Sequence, residues 1–318
     1  MRIIGTGSAL PKLIVKNDDL AQIMDTSDEW IRSRTGIEAR HLAVEETTTS
    51  MGIEAARCAI EAAGIQPEEL DLIIAATVSP DRIIPTLSCE VQSALGAVRA
   101  VAFDIGAACS GFLFGLATAD AFFQTGRFQN ALIIGAETLS KMMDWNDRST
   151  CVLFGDGAGA VVVSNEKGHL LSMTQGSDGA SGMALCCQNR PVSNPYNRSD
   201  AELDYVHMDG QAVYKFAVKT VPKAIQKALE EADTTADEVA LFILHQANLR
   251  IIESVAKRLR QPIEKFPTNL QECGNISAAS VPILLDKVAK DGMIKSGDKI
   301  VLAGFGAGLT WGACVIRW

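Results

Sequence analysis

Cys109, His245 and Asn275 carry side chains suited to nucleophilic chemistry on a carbonyl group, and each stands where a strand or loop enters a helix. Cys109 lies in Phe103-Asp104-Ile105-Gly106-Ala107-Ala108-Cys109-Ser110-Gly111-Phe112, where an apolar strand runs through small residues into a long helical pattern. The first N–H groups of a helix lack intrahelical acceptors and its macrodipole is positive there, which favours a thiolate. A free thiol titrates near roughly 8.5, and this setting is expected to lower that value. Small neighbours leave room for a carbonyl to approach the backbone. Packed as a small hydrophobe, the same cysteine would have no chemical role. His245, one of only 4 histidines, follows an apolar strand in Leu244-His245-Gln246-Ala247-Asn248, a usual place for α/β active sites. Asn275 sits in Cys273-Gly274-Asn275-Ile276-Ser277 before a helical stretch, where capping is its commonest use. A Cys-His-Asn hydrolase is one reading of the three together.

The elements that must position these residues alternate between short apolar runs and amphipathic stretches. Residues 70–78, 131–135, 160–164, 239–244, 299–303 and 313–316 read as strands, and the N-terminal Met1 to Gly7 as a further strand and turn. Residues 52–64, 110–125, 213–232, 249–259 and 281–290 read as helices. This is an α/β pattern. It repeats once, roughly half the chain apart. Gly155-Asp156-Gly157-Ala158-Gly159 echoes Gly304-Phe305-Gly306-Ala307-Gly308. Ala59 to Ala63 followed by Leu70 to Ile74 echoes Ala228 to Ala232 followed by Val239 to Ile243. The helix from Ala119 to Gly126 echoes that from Leu285 to Gly292. Two duplicated halves are expected, at 1–165 and 166–318, with residues 166–210 a loop-rich insertion. The last echo aligns Asn275 with Cys109, so a pseudo-twofold fold would bring the two to a shared centre. The glycines at 304–308 lack the lysine of a phosphate loop and suit a close backbone approach with an N–H aimed at an oxyanion. Those at 155–159 read as a turn that lets two strands pack.

Composition narrows the classes. The net charge of −9 argues against general nucleic-acid binding. No apolar stretch is long enough to span a membrane, and the N-terminus lacks the pattern of a signal peptide. The 8 cysteines are scattered without a CxxC pair, so neither a zinc site nor a redox pair is expected and a reducing, cytoplasmic location is. Against the acidic balance, Lys215, Lys219, Lys223 and Lys227 recur at i, i+4 on one helical face, near Arg250, Lys257 and Arg258. Like charges so spaced repel, and the stripe asks for an acidic partner.

The motifs Ile4-Gly5-Thr6-Gly7-Ser8, Thr26-Ser27-Asp28-Glu29-Trp30-Ile31, Arg34-Thr35-Gly36-Ile37, Phe154 to Gly159, His245 to Arg250, Gly274 to Pro282 and Thr310-Trp311-Gly312, with the segment around Cys109, span the whole chain. In them the sequence resembles the β-ketoacyl-[acyl-carrier-protein] synthase III family, the condensing enzymes that initiate bacterial fatty-acid synthesis. The resemblance implies a thiolase-like fold of two similar halves in five α-β-α-β-α layers and a homodimer. Its substrates would be acyl-coenzyme A and malonyl-acyl-carrier-protein, with no resident cofactor. By the same resemblance Cys109 would take the acyl group, His245 and Asn275 would hold the enolate oxygen, and Ala307 would share an oxyanion pocket with Cys109. Phe305 would gate decarboxylation. Trp30 and Arg148 would sandwich the adenine of coenzyme A, with Arg34, Gly210, Tyr214 and Asn248 nearby. Lys215, Arg250, Lys257 and Arg258 would dock the carrier protein, and Ile84 would close the acyl pocket of a partner subunit. A related condensing enzyme of a specialised pathway stays open beside the initiating synthase. The hydrolase ranks below both, because the sequence around Cys109 does not match such enzymes and the chain is duplicated.

Overall fold

Aliphatic runs with side chains alternating between two apolar surroundings make two sheets in this computed structural model, which describes residues 1–200 and 203–318. The first, five-stranded, contains β1 (Arg2–Ala9), β2 (Leu72–Ala76), β3 (Val101–Ile105), β4 (Asn130–Thr138) and β5 (Asp156–Ser164), in the order β1-β5-β4-β2-β3. The second, four-stranded, contains β6 (Leu170–Ser177), β7 (Val239–Leu244), β8 (Lys299–Gly306) and β9 (Thr310–Arg317), in the order β6-β9-β8-β7. Strand directions repeat: β2 is parallel to β4, which is antiparallel to β5, which is antiparallel to β1. Likewise β7 is parallel to β8, which is antiparallel to β9, which is antiparallel to β6. Only β3, which delivers the chain to Cys109, has no counterpart in the second sheet.

Helices α1 (Asp28–Thr35), α2 (Thr48–Ala63), α3 (Leu87–Leu95), α4 (Gly111–Gln124), α5 (Gly210–Glu231), α6 (Leu249–Leu259) and α7 (Ser280–Lys290) complete the frame. Strand alternation separates three cores. Ile73 and Ala75 face α2 and α3. Leu72 and Ile74 face α4 and α7 on the other side, where Leu241, Ile243, Ile300 and Leu302 of the second sheet also point. Phe242, Leu244, Val301 and Ala303 face α5 and α6. The layers are therefore α-β-α-β-α, as the resemblance implied.

The two central helices cross between the sheets at very short range. The turn Ser277–Ala279 that opens α7 lies on β4 of the first sheet, where a Cβ on Gly135 would stand 2.3 Å from the Ala278 carbonyl oxygen. The turn Ala108–Ser110 that opens α4 lies on β8 of the second, where a Cβ on Gly306 would stand 2.8 Å from the Cys109 nitrogen. Ala108 (φ 43°) and Ser277 (φ 45°) take the same left-handed conformation at equivalent places.

Several sequence expectations need correction. Aligned at their N-terminal turns, the two halves match Cys109 with Ala278, not with Asn275. The cause is length: α4 has 14 residues and α7 has 11, so an alignment anchored at the helix ends slips by nearly one turn at the starts. The 155–159 segment is mostly strand rather than turn, and Gly159 admits a helix: a Cβ there would lie 2.6 Å from the Ile283 nitrogen. Residues 166–210 are not all loop. They include β6, whose inward positions are polar; Ser172, buried, bonds through Oγ to the Ala228 carbonyl at 2.6 Å. Residues 201–202 of that segment lie outside the described ones. The start of α3 is hidden from local sequence because its N–H groups, at Leu87 and Ser88, are capped by the distant Asp104 carboxylate, each at 2.8 Å.

Overpacking at the crossing should be costly. Gly135→Ala is expected to lose about 2 kcal/mol or more in urea unfolding, whereas Gly179→Ala, where nothing lies within 4 Å of the added Cβ, should stay within about 0.5 kcal/mol. Equal stability of the two variants would contradict the close approach.

Candidate active site

The crossing brings the three chemical residues to the floor of one cavity of about 550 Å³, with Cys109, His245, Asn275, Phe305 and Gly306 at its inner end. Cys109 stands in the turn that opens α4, as expected, and is 7% exposed. Its titration is the reverse of the expectation. Burial pushes the Cys109 thiol up to about 12; the Ser277 hydroxyl pulls it back and the Glu137 carboxyl adds to the rise. Burial outweighs the lowering that the backbone at the helix start supplies, and no cation adjoins the thiol. At rest Cys109 is a neutral thiol.

His245 is held at the end of β7 by its own N–H, which donates to the Ala303 carbonyl at 2.8 Å. Burial pushes its imidazole down to about 3, so the ring is neutral. Its Nδ1 is buried without a hydrogen-bond partner, and the Phe305 ring meets it edge to face at 5.3 Å between centroids. The proton of a neutral ring at Nε2 then makes that atom a donor toward the cavity. Asn275 is clamped through its backbone: its N–H donates to the Leu153 carbonyl at 2.9 Å, and its carbonyl accepts from Gly155 N–H at 3.0 Å. The side-chain Oδ1 accepts from Ser277 N–H at 2.8 Å, which fixes the amide and turns its NH₂ into the remaining donor.

Ala307 follows Gly306 outside the left-handed region, and both Ala307 and Cys109 line a second cavity of about 390 Å³ with Leu139, Met142, Met143 and Val206. Thr310 Oγ1 lies within 3.2 Å of the Ala107 and Ala307 carbonyls and the Ser110 hydroxyl, tying the nucleophile turn to the glycine loop.

At the mouth of the larger cavity stand Trp30, Arg34, Gly210, Tyr214, Asn248 and Arg250. The Arg34 guanidinium lies 4.7 Å from the Trp30 ring centroid and that of Arg148 5.1 Å away. A base stacked between Trp30 and Arg148 needs a gap of about 7 Å, two stacking distances, so Arg148 must swing aside to admit one. It is held in place by Asp25, whose Oδ2 is 3.1 Å from Arg148 Nη1. Asn248 caps α6 by accepting from Arg250 N–H at 2.9 Å and donates to the Arg34 carbonyl at 3.0 Å.

Lys215, Lys219, Lys223 and Lys227 are all exposed along α5, and Arg250, Lys257 and Arg258 along the adjacent α6. Arg250 reaches the cavity mouth, and its Nη2 donates to the Ser33 carbonyl at 2.6 Å. Ile84 is 82% exposed and lines neither cavity of its own chain. Sequence reasoning did not single out Ser277, Thr310 or Glu137. Glu137 carried a signal, an acid ending the apolar run from Ala131 to Ala136; the other two sat inside quoted motifs with no role attached. Among the described residues no cluster of three metal-ligating side chains occurs and no helix is long and apolar enough to cross a membrane.

A family model described as 3-oxoacyl-[acyl-carrier-protein (ACP)] synthase III matches residues 103–179, and its C-terminal companion matches residues 229–318. A β-ketoacyl-[acyl-carrier-protein] synthase III of Clostridium kluyveri is 49% identical over 318 residues, covering 100% of this chain and 98% of the relative. The crystal structure of the 3-oxoacyl-[acyl-carrier-protein] synthase III of Aquifex aeolicus is 46% identical with a TM-score of 0.93, covering 100% of this chain and 99% of that one. That of Thermus thermophilus is 39% identical with a TM-score of 0.94 and the same coverage, 100% and 99%.

The burial of Cys109 sets its reactivity. Alkylation by iodoacetamide is expected to be slow at neutral pH and to climb without a plateau up to pH 10, because the thiolate fraction rises with each unit below a thiol value of about 12. A rate that levels off below pH 10, measured by mass spectrometry of the Cys109 peptide, would show a thiol of ordinary or lowered pKa instead.

Proposed function

The chain belongs to the β-ketoacyl-[acyl-carrier-protein] synthase III family, and we propose that it joins an acyl-coenzyme A primer to malonyl-acyl-carrier-protein through a thioester on Cys109. The reaction is the decarboxylative condensation that initiates fatty-acid synthesis. The observation that carries the proposal is the meeting of Cys109, His245 and Asn275 at the end of one cavity, with two neutral donors beside a buried thiol.

In the first half-reaction the Cys109 Sγ–C bond forms, the C–S bond to coenzyme A breaks, and the coenzyme leaves as a thiol once protonated. Backbone N–H groups of Cys109 and Ala307 would receive the oxyanion. The mouth formed by Trp30, Arg34, Gly210 and Asn248 would hold the coenzyme, and the cavity beside Ala307 the acyl chain. In the second half-reaction the malonyl thioester loses carbon dioxide, and the electron pair of the broken C–C bond becomes an enolate. Its oxygen needs donors that do not quench the carbanion. Neutral His245 Nε2–H and the Asn275 amide meet that need, since neither is an acid in this site. The enolate carbon attacks the acyl carbon, and Cys109 departs. Phe305, against the His245 ring, keeps water from the enolate. This chemistry uses only the thioesters and side chains, without a resident cofactor.

The basic faces of α5 and α6 would dock the acidic carrier next to the cavity mouth, with Lys215, Arg250, Lys257 and Arg258 in reach of its surface. The exposed Ile84 would serve the acyl pocket of a second copy in a homodimer.

Asn275→Ala should retain acylation of Cys109 within about threefold and lose decarboxylation of malonyl carrier protein by roughly 10²–10³-fold, the usual cost of an oxyanion donor. Equal loss in both half-reactions, followed by single-turnover mass spectrometry and ¹⁴CO₂ release, would contradict its assigned role. Reversal of charge in Arg250→Glu/Lys257→Glu should raise the KM for malonyl carrier protein at least tenfold while leaving that for acyl-coenzyme A within threefold at low salt. Matching effects on both substrates would exclude docking on this face.

A further inference from the structure

Glu137 is a buried carboxylate for which the condensation, as derived above, has no use. It is the penultimate residue of β4, with 0% exposure. Four donors converge on Oε2 alone: Ser79 Oγ at 2.6 Å, Thr77 Oγ1 at 3.1 Å, Val78 N–H at 3.1 Å and Ser79 N–H at 3.2 Å. The other oxygen, Oε1, is buried and unpartnered, and so is the Ser277 hydroxyl. Two orphaned buried oxygens are costly and ask for a function. Ser277 lines the same cavity as Cys109, and its hydroxyl favours the charged form of both Cys109 and Glu137 without closing a hydrogen bond of normal geometry with either. Ser277 takes a left-handed conformation, φ 45°, and its N–H donates to Asn275 Oδ1. Strain of this kind gathers at functional sites.

The arrangement answers a question left by the site. The neutral thiol of Cys109 must lose a proton to attack, and His245, made a poor base by burial, is ill suited to take it. We propose that Glu137, acting through Ser277, stores the proton of Cys109 while that residue carries the acyl group. The inference rests on the thioester reading of Cys109. As the Sγ–C bond forms, the thiol proton passes to Ser277 Oγ and the Ser277 hydroxyl proton passes to Glu137 Oε1. The C–S bond to coenzyme A breaks, and the departing thiolate takes its proton from water. When the enolate carbon later displaces Sγ, the Cys109 thiolate regains the stored proton along the same path. One proton is taken up per turnover, as decarboxylation of the malonyl group requires.

Burial raises the Glu137 carboxyl above its ordinary value, which strengthens it as an acceptor, and the four donors on Oε2 oppose that rise. Cys109 is the titratable group whose charge it meets at close range. On the neighbouring elements Lys141 is paired with Asp81 at 3.3 Å and bonded to the Pro80 carbonyl, and Asp156 is engaged by Ser140 and the Ala43 N–H. None of these is free to replace it.

Glu137 is thus a positioning residue, and its test must separate it from a merely structural acid. Single-turnover acylation by an acyl-coenzyme A is followed by intact mass between pH 5.5 and 9.5 in the wild type, Glu137→Gln, Glu137→Asp and Ser277→Ala. Release of ¹⁴CO₂ from malonyl carrier protein is measured on the same proteins. Glu137→Gln and Ser277→Ala should each slow acylation about 10²-fold at pH 7, as general-base removal does. They should also shift the rate to an alkaline dependence and leave decarboxylation within threefold. Glu137→Asp should recover part of the rate. Acylation at wild-type rate and pH profile in either variant overturns the proposal, as does a parallel loss of both half-reactions. If Glu137→Gln does not fold, Ser277→Ala, which leaves the four bonds to Oε2 in place, decides alone. An absent acyl adduct on the wild type would instead sink the thioester reading itself.

Discussion

The site depends on a steric constraint: two helix-opening turns each press their backbone onto a strand of the opposite sheet. Neither contact tolerates a side chain on the strand, which is why Gly135 and Gly306 stand beneath Ala278 and Cys109. The exchange is reciprocal. The first half supplies Cys109 and places it on the second sheet; the second supplies Ser277 and Asn275 and places them against the first. Each half alone would present an incomplete site with a polar turn open to solvent. The hydrophobic layer of α4 and α7 between the sheets holds the crossing together, and Thr310 locks the glycine loop to the nucleophile turn.

Dryness follows from that closeness, and the chemistry follows from dryness. Removal of water raises the thiol and lowers the imidazole, so both groups rest uncharged. For a hydrolase this would be a poor arrangement, since it needs a basic histidine and an accessible water. For a condensation it is apt. A carbanion survives only where donors are neutral and solvent is excluded, and hydrogen bonds to an enolate oxygen strengthen in a low dielectric. The cost appears as orphaned polar atoms at this site, His245 Nδ1, Glu137 Oε1 and Ser277 Oγ, half of those found among the described residues.

Much of this was legible in the sequence. Short apolar runs marked the strands around His245 and the C-terminus, and the echo between halves anticipated two sheets of the same path. Features set by distant residues were not legible. The start of α3 depends on the carboxylate of Asp104, and β6 hides behind inward Ser172 and Thr174. The alignment of Asn275 with Cys109 failed because one turn of helix is missing from α7, which sequence similarity at the helix ends cannot reveal. Local reasoning about Cys109 found the helix terminus correctly yet misjudged the thiol. A helix start is a local property, whereas burial is decided by β8, half the chain away. Glu137 could have been noticed as an acid inside an apolar strand, but its relation to Ser277 exists only in three dimensions.

The central claim is that Cys109 is a temporary acyl carrier shielded from water. The most direct measurement is to mix the protein with a radiolabelled acyl-coenzyme A, map the label, and chase with malonyl-acyl-carrier-protein. The account predicts label on the Cys109 peptide that persists in buffer and moves into a β-ketoacyl carrier product on the chase. Rapid release of labelled free acid before the chase, or label on any other residue, would contradict it.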